Sequence, residues 1–286
     1  MSGQKVTLAP GLYPVATPIG NLRDITLRAL DVLSSADVIA CEDSRITKRL
    51  LQAYGITTPV IPYHEHNAAS MRPRILERIE KGEAVVLVSD AGTPLISDPG
   101  FKLVRALVEA GGKVYPIPGA SAPITALSAA GLPSDHFLFV GFPPNKQAAR
   151  RKALETFSHI DATLIFFESP KRLKDCLKDM ADLWPDRQAV VARELTKMFE
   201  EFRRMPLTEL AASYIDQPTP KGEIVILVEP PHKADEAMDE EDLDGLILKA
   251  LETQSLRDAS ADVASVTGLP KKQVYKRALD LSKNKD

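Results

Sequence analysis

The stretch that decides the fold runs Ala84-Val85-Val86-Leu87-Val88-Ser89-Asp90-Ala91-Gly92-Thr93-Pro94. Its first five residues are all apolar, which is the pattern of a parallel strand covered on both faces. The six that follow are mostly small, and they end in a proline that fixes the shape of the loop. In open α/β sheets, ligands bind beyond the carboxyl ends of the strands. We therefore expect Ser89–Pro94 to form part of a ligand site.

On either side of this stretch, strand and helix patterns alternate as far as residue 118, which predicts an open parallel sheet. The predicted strands are 12–16, 37–41, 59–63, 84–88 and 114–117, and the predicted helices are 26–34, 44–54, 70–81 and 102–110. A second series indicates another α/β domain with a mixed sheet. Its predicted strands are 137–140, 163–167, 189–192 and 224–228, and its predicted helices are 150–157 and 170–183. The expected domains are 11–118 and 119–230.

Composition sets limits on the class of protein. The chain has 286 residues, 44% of them hydrophobic, and a formal net charge of −3, so no global charge draws it to nucleic acid. Cys41 and Cys176 lie far apart in sequence, which argues against a disulfide framework and fits a reducing compartment. No signal peptide is recognisable, and no apolar run approaches the roughly 20 residues that span a bilayer. We expect a cytoplasmic protein without a membrane segment.

The C-terminal part of the chain differs in character. Residues 231–242 are polar and acidic, which predicts a linker, and residues 243–286 have a helical pattern. Within this tail, residues 261–277 resemble a helix-turn-helix in which Gly268 marks the turn and the second helix is rich in lysine and arginine. The alternative is a simple helical hairpin that packs on a partner.

Three loops follow predicted strands and carry small or rigid residues: Pro18–Asn21, Ser89–Pro94 and Pro118–Ala122. None contains G-x-G-x-x-G or G-x-x-x-x-G-K-[ST], so we expect a ligand without a di- or triphosphate. Asp90, at the end of the buried strand, would suit a hydroxyl or ammonium group. Each loop alone could be an ordinary turn, but three of them at strand ends favour a binding cleft.

Five longer motifs occur in order, at residues 13–26, 40–45, 63–67, 89–100 and 166–172. Examples are Thr17-Pro18-Ile19-Gly20-Asn21 and Phe166-Phe167-Glu168-Ser169-Pro170. Together they resemble the ribosomal small-subunit RNA 2′-O-ribose methyltransferase I family, in the tetrapyrrole methylase superfamily. The resemblance covers about residues 10 to 230, with a similar helical tail after them.

This resemblance implies two α/β domains of the class III methyltransferase type, with S-adenosylmethionine in the cleft between them. It also implies a homodimer that methylates a cytidine ribose in the decoding region of 16S ribosomal RNA. Because two domains and a tail would contact this substrate, we expect it to lie within the 30S subunit. Eight residues are carried over as cofactor contacts: Pro18, Asp90, Thr93, Ser121, Ala122, Phe167, Leu195 and Ile224. The loop at Asp90 departs from the superfamily's Gly-Asp-Pro pattern by three residues between Asp90 and Pro94.

A ribose hydroxyl is a weak acid, so a general base should assist methyl transfer. The candidates are Asp43, His64, Glu65 and Glu168. Asp43 could instead pair with Arg45 or cap a helix, and Glu168 could pair with Lys171 or Arg172. His64 and His66 would share one face of a strand, but no cysteine or third histidine lies nearby. Methyl transfer needs no metal, and we expect none.

RNA binding requires positive charge in particular places, because the whole chain is slightly acidic. Basic clusters occur at 146–152, 171–174 and 203–204, although charge runs are usually solvated faces. The expected RNA contacts are Arg23, Arg45, Arg150, Arg151, Lys171 and Arg172. We expect replacement of Arg150 and Arg151 to weaken substrate binding and reduce its salt dependence.

Two other functions remain open at this level. A methylase of a corrin or porphyrin precursor would share the superfamily, but a small macrocycle needs neither basic clusters nor a helical tail. A non-enzymatic RNA- or DNA-binding regulator would use the tail alone, and it would have no need of the three strand-end loops.

Overall fold

The computed structural model describes residues 3–231, 240–267 and 269–283. The chain forms two units, Met1–Pro230 and Pro231–Asp286. The first unit contains two sheets, and the second is helical. The acidic stretch predicted as a linker lies mostly outside the described residues, as does Gly268 of the predicted helix-turn-helix. No helix in the described ranges has the length and hydropathy needed to cross a membrane.

The first sheet is built around the apolar run that follows Glu83. All five of its residues are buried, and the strand pairs in parallel with a neighbour on each side. The sheet has the order β1-β4-β2-β3 and is parallel throughout, as predicted. Its strands are β1 (Gly11–Pro14), β2 (Val38–Cys41), β3 (Val60–Pro62) and β4 (Ala84–Val88).

Helices cover both faces of this sheet through their apolar sides. Thr26 begins the first helix by accepting a hydrogen bond from the amide of Ala29 at 3.0 Å, and Gly55, with a φ of 67°, follows the end of the second. The helices are α1 (Leu27–Ser35), α2 (Ser44–Ala53), α3 (Ala68–Glu80) and α4 (Phe101–Glu109).

The predicted strand 114–117 is not continuous, because Pro14 of β1 has no amide to donate to the carbonyl of Tyr115. The segment still lies beside β1: the Tyr115 amide donates to the Leu12 carbonyl at 2.8 Å and the Ile117 amide to Pro14 at 2.9 Å. The chain here extends the sheet by isolated bridges, which bring the next loop, 118–122, to the same edge as the ends of β1 and β4.

The second sheet is mixed and has the order β5-β6-β9-β7-β8. Only β5 and β6 pair in parallel; the other pairs are antiparallel. The central strand β9 is buried along its whole length. The strands are β5 (Phe137–Gly141), β6 (Thr163–Glu168), β7 (Gln188–Arg193), β8 (Glu201–Pro206) and β9 (Ile224–Val228). The helices that accompany it are α5 (Ala122–Ala130), α6 (Gln147–Glu155), α7 (Leu173–Leu183) and α8 (Leu207–Ser213).

The second unit contains three helices in its described part: α9 (Glu240–Leu251), α10 (Leu256–Thr267) and α11 (Lys271–Lys283). Its small core includes Ile247, Val263 and Val274. Arg277 on α11 pairs with Asp244 on α9 at 2.7 Å. The helical tail is confirmed, although α9 includes residues 240–242, which the sequence pattern assigns to the linker.

Candidate functional site

A cavity of about 400 Å³ lies in the first unit, at the edge where strands of both sheets end. From the first sheet it takes the loops after β1 and β4. From the second it takes the ends of β6 and β7 and the start of β9, which lie at one edge because Glu168 and Arg193 both pair with Ile224. The lining residues are Ile19, Asp90–Thr93, Ile96–Asp98, Ser121–Pro123, Phe142, Phe167–Pro170, Leu195 and Gly222–Val225.

The three loops singled out in the sequence meet at this cavity. Thr17 and Gly92 exchange backbone hydrogen bonds of 2.9 and 3.0 Å, which join the loops after β1 and β4. The Thr93 hydroxyl donates to the carbonyl of Ala120 at 3.1 Å, which adds the loop before α5. The predicted convergence of these loops is therefore present in the structure.

Gly20 allows the loop after β1 to approach the second sheet closely. A Cβ at this position would lie 2.5 Å from the Lys197 side chain and 2.9 Å from the carbonyl oxygen of Leu195. Next to it, the amide of Asn21 donates to the Thr196 hydroxyl at 3.1 Å. The absence of a side chain at Gly20 thus permits this contact between the loops.

Backbone strain is concentrated in two loops of the cavity wall. Leu95 and Ser97 have φ values of 74° and 63°, and Glu194 and Thr196 have values of 53° and 64°. These four are the non-glycine residues with positive φ within the described part of the chain. Such conformations are unfavourable for L-residues and tend to occur where a site requires a particular backbone path.

The charge of the wall is strongly one-sided. The described lining residues include four carboxylates, Asp90, Asp98, Glu168 and Glu223, and no lysine, arginine or histidine. Two of the four form ion pairs with residues outside the lining: Arg172 lies 3.2 Å from Glu168, and Lys197 lies 3.0 Å from Glu223. Asp90 and Asp98 form no ion pair with any residue that the structure describes.

Asp90 and Asp98 differ in their surroundings. One carboxylate oxygen of Asp90 accepts a hydrogen bond from the amide of Asp43 at 2.9 Å, which ties β4 to β2. Burial raises the pKa of Asp98, and the neighbouring Asp90 charge raises it further, against a lowering by the Ser89 hydroxyl. Burial and the same two aspartates also raise the pKa of Glu42. The cavity therefore favours a ligand that carries positive charge.

Residues 11–211 match the family described as Tetrapyrrole (Corrin/Porphyrin) Methylases, and residues 237–282 match the RsmI C-terminal HTH domain. A protein named Ribosomal RNA small subunit methyltransferase I from Mesorhizobium japonicum is 50% identical over 276 residues, covering 96% of this chain and 93% of its own. One of the same name from Escherichia coli O157:H7 is 48% identical over 275 residues, covering 94% of each chain.

The chain belongs to the ribosomal RNA small subunit methyltransferase I family. Solved structures agree with this family at the level of the fold. Diphthine synthase superposes with a TM-score of 0.58 at 19% identity, over 76% of this chain and 89% of that one. A uroporphyrin-III C-methyltransferase from Thermus thermophilus, complexed with S-adenyl homocysteine, superposes with a TM-score of 0.54 at 19% identity, over 76% and 96%. The predicted tetrapyrrole-methylase-like fold is confirmed.

Of the eight residues expected at the cofactor in this methyltransferase I family member, seven line the cavity. They are Asp90, Thr93, Ser121, Ala122, Phe167, Leu195 and Ile224. Pro18 is not among the lining residues, and its neighbour Ile19 is. The apolar members Phe167, Leu195 and Ile224 come from the second sheet, whereas Asp90 and Thr93 come from the first.

The proposed general bases are placed very differently. Asp43 caps α2 and pairs with Arg45 at 2.5 Å, outside the cavity wall. The hydrogen bonds from Arg45 lower the pKa of Asp43 to about 2, which makes it a weak proton acceptor. Glu168 does line the cavity, but Arg172 and the amide of Ser169, which lies 2.7 Å from its Oε1, hold its carboxylate.

His64 and Glu65 lie in the chain that follows β3 and are not among the lining residues. The expectation that His64 and His66 share a strand face is wrong, because β3 ends at Pro62 and residues 65–67 form a turn. The two imidazole rings are 6.0 Å apart.

The structure corrects the expectation for Arg150, which is buried with 3% of its surface exposed. Its guanidinium donates to buried Asp179 at 2.7 Å and to the carbonyl of Asn145 at 3.2 Å. Arg151 pairs with Asp182 at 2.7 Å and remains one-third exposed. The charges of the basic helix α6 are therefore largely engaged within the protein.

The remaining expected RNA contacts fall into two groups. Arg23, Arg45 and Lys171 are exposed, and Arg45 has 88% of its side chain in solvent although it pairs with Asp43. Arg172 instead faces inward, where it joins Glu168 to the carbonyls of Pro143 and Pro144. Arg203 and Arg204, from the third basic cluster, stack over Tyr214 and Phe202 respectively.

Sequence reasoning missed two residues of the cavity wall that carry chemistry. Asp98 lies in the motif Ser97-Asp98-Pro99-Gly100, and Phe142 follows Gly141 and precedes Pro143-Pro144. A signal was available for both: a polar or aromatic side chain next to proline or glycine, in a loop that follows a strand.

Proposed function

We propose that this chain is an S-adenosylmethionine-dependent methyltransferase that acts on the ribose 2′-oxygen of a cytidine in the decoding region of 16S ribosomal RNA. Family membership supports the coarser statement, a ribosomal RNA methyltransferase. The observation that carries the proposal is the acidic lining, with no basic side chain among the described residues, of a cavity of about 400 Å³ at the carboxyl edge of the parallel sheet.

The residues of the cavity fit this cofactor. S-adenosylmethionine has a sulfonium and an ammonium group against a single carboxylate, and it has no phosphate. Asp90 and Asp98 offer carboxylates to a cation or to ribose hydroxyls, and Phe167, Leu195 and Ile224 offer an apolar surface to an adenine ring. When bound, the cofactor supplies an activated methyl group, so no metal is required for the transfer.

Asp98 is the carboxylate best suited to accept the proton of the acceptor hydroxyl. It faces the cavity without a cationic partner in the described structure, and burial raises its pKa toward the range useful for a base. Asp43 is held by Arg45, and Glu168 by Arg172, so each is engaged in a local ion pair. His64 lies outside the wall of the cavity.

RNA contacts are proposed for the exposed residues Arg23, Arg45 and Lys171, for the partly exposed Arg151 and for the tail. On α11, Lys271, Lys272 and Lys276 are exposed, whereas Arg277 pairs with Asp244. This arrangement is consistent with phosphate contacts from α11. We further propose that the protein acts as a homodimer in the cytoplasm and that its substrate is the assembled 30S subunit.

Methyl transfer from labelled S-adenosylmethionine tests the proposal with three acceptors: 30S subunits, naked 16S RNA and a tetrapyrrole precursor. We expect label in 16S RNA, strongest for 30S subunits, and recovery of 2′-O-methylcytidine after nuclease digestion. Label in the tetrapyrrole alone would instead indicate a precursor methylase. Failure with all three acceptors, together with RNA binding, would favour a non-enzymatic regulator.

A further inference from the structure

Phe142 combines two properties that conflict for an apolar side chain. It lines the cavity, yet 56% of its surface is exposed. Exposure of an aromatic ring forfeits the favourable free energy of removing its surface from water. A ring kept exposed at the mouth of a cavity is therefore a candidate contact for a ligand that arrives from solvent.

The backbone around Phe142 is arranged to hold the ring in this place. The pairing of β5 with β6 shifts register between Phe139 and Gly141, and such bulges re-aim the side chains that follow. Gly141 has a φ of 81°, which favours glycine, and Pro143 and Pro144 stiffen the chain on the other side.

The segment is also fixed by Arg172, which pairs with the lining residue Glu168, and by the lining residue Phe167. Arg172 donates to the carbonyl oxygens of Pro143 and Pro144 while its guanidinium pairs with Glu168. The Phe142 ring lies 5.4 Å from the ring of Phe167, which packs against Phe139 at 4.9 Å. Phe142 is thus anchored within an aromatic cluster on one side and open to solvent over more than half of its surface.

We infer that Phe142 is the surface on which the base of the target nucleoside stacks. This inference rests on the proposed function, because a ribose that reaches the cavity must bring its base with it. Proteins that act on single RNA nucleotides take the base out of the stack and replace its neighbours with aromatic side chains. A single aromatic ring recognises any base by stacking, so other residues would determine the choice of cytidine.

The experiment compares Phe142→Ala with Phe142→Trp and with Phe137→Ala. Phe137 begins the strand β5 that Phe142 follows, is 44% exposed and is not among the lining residues, so it is a matched control. For each protein we would measure kcat/KM with 30S subunits, the affinity for S-adenosylhomocysteine by calorimetry, and the oligomeric state by light scattering. We expect kcat/KM to fall roughly 10- to 100-fold in Phe142→Ala and to be largely retained in Phe142→Trp and Phe137→Ala.

Affinity for S-adenosylhomocysteine and oligomeric state should be unchanged in all three variants. A parallel loss of that affinity in Phe142→Ala would place the ring against the cofactor and overturn the inference. A change in oligomeric state would assign the ring to a contact between copies of the chain, and an unchanged kcat/KM would exclude stacking. If the unsubstituted protein methylates no RNA, the proposed function fails first, and the inference fails with it.

Discussion

The two sheets of the first unit differ in whether the charged side chains beside them form ion pairs. At the carboxyl edge of the parallel sheet, Glu42, Asp90 and Asp98 lie near one another, and none forms an ion pair within the described structure. Next to the mixed sheet, Arg150 pairs with Asp179, and Glu168 with Arg172. Unpaired charge therefore indicates where a ligand is expected, whereas paired charge is already engaged within the fold. A count of arginines cannot separate the two cases.

The largest effect is expected from the unpaired side of this comparison. Asp98→Asn removes the proposed proton acceptor and should lower the single-turnover rate of methyl transfer about 10²- to 10⁴-fold. Affinity for S-adenosylhomocysteine should change much less, and Asp98→Glu should recover part of the rate. Asp161→Asn, at an exposed aspartate outside the cavity, is the control. Full activity in Asp98→Asn would return the role to Asp43, His64 or Glu168.

On the paired side, the expected effect is on folding. Arg150→Ala leaves the buried carboxylate of Asp179 with only a longer ion pair, to Arg151 at 3.4 Å, and should lower the free energy of unfolding by about 3–5 kcal/mol. Arg151→Ala removes a partly exposed pair with Asp182 and should lower it by about 1 kcal/mol or less. Urea denaturation measures both. Unchanged stability in Arg150→Ala, with weaker RNA binding, would instead indicate that Arg150 contacts RNA, as the sequence suggests.

The smallest effect concerns the stability of Asp98→Asn as a function of pH. Burial and the Asp90 charge raise the pKa of Asp98, so its charged form is less favourable in the folded than in the unfolded chain. The stability associated with the neutral carboxyl is present below the ordinary pKa of about 3.9 and is lost as pH rises through the raised value.

Asparagine stays neutral throughout this range. At pH 7 the variant should therefore melt roughly 1–3 °C above the unsubstituted protein, with a gain that shrinks as pH falls toward 4. Thermal scans across this range give the difference, and Asp161→Asn again serves as the control. A variant that melts lower at pH 7 would mean that the Asp98 carboxylate stabilises the fold.

Much of the fold follows from local patterns. The buried run 84–88 predicts the strand β4, because five successive apolar residues are typical of a parallel strand that is covered on both faces. The end of this run also marks the start of the loop that forms part of the site. The edge strand β8 was missed because its sequence, Glu-Phe-Arg-Arg-Met-Pro, is charged, as edge strands often are. Helix α5 was missed because its residues, small and apolar on all sides, lack an amphipathic pattern.

The site was less predictable where distant residues decide the outcome. The sequence pattern predicts Arg150 to lie on the surface of a basic helix. Only the fold brings Asp179, 29 positions away, to its guanidinium. Arg172 likewise finds Pro143 through the tertiary structure, not through its neighbours in sequence. The local sequence indicates the backbone turns at Asp98 and Phe142. It does not show that the two side chains line one cavity, because Asp98 follows a strand of the first sheet and Phe142 a strand of the second.

The two backbone hydrogen bonds between Thr17 and Gly92 also make local opening of the cavity wall measurable. Backbone amides exchange their protons with water only when such bonds open, and regions that open locally do so far more often than the whole domain unfolds. These two amides hold the loops after β1 and β4 together, so their deuterium uptake measures how often this side of the cavity opens. The ratio of their exchange rate to that of an unprotected amide then gives the fraction of time in which these bonds are open, and a bound ligand should lower that fraction.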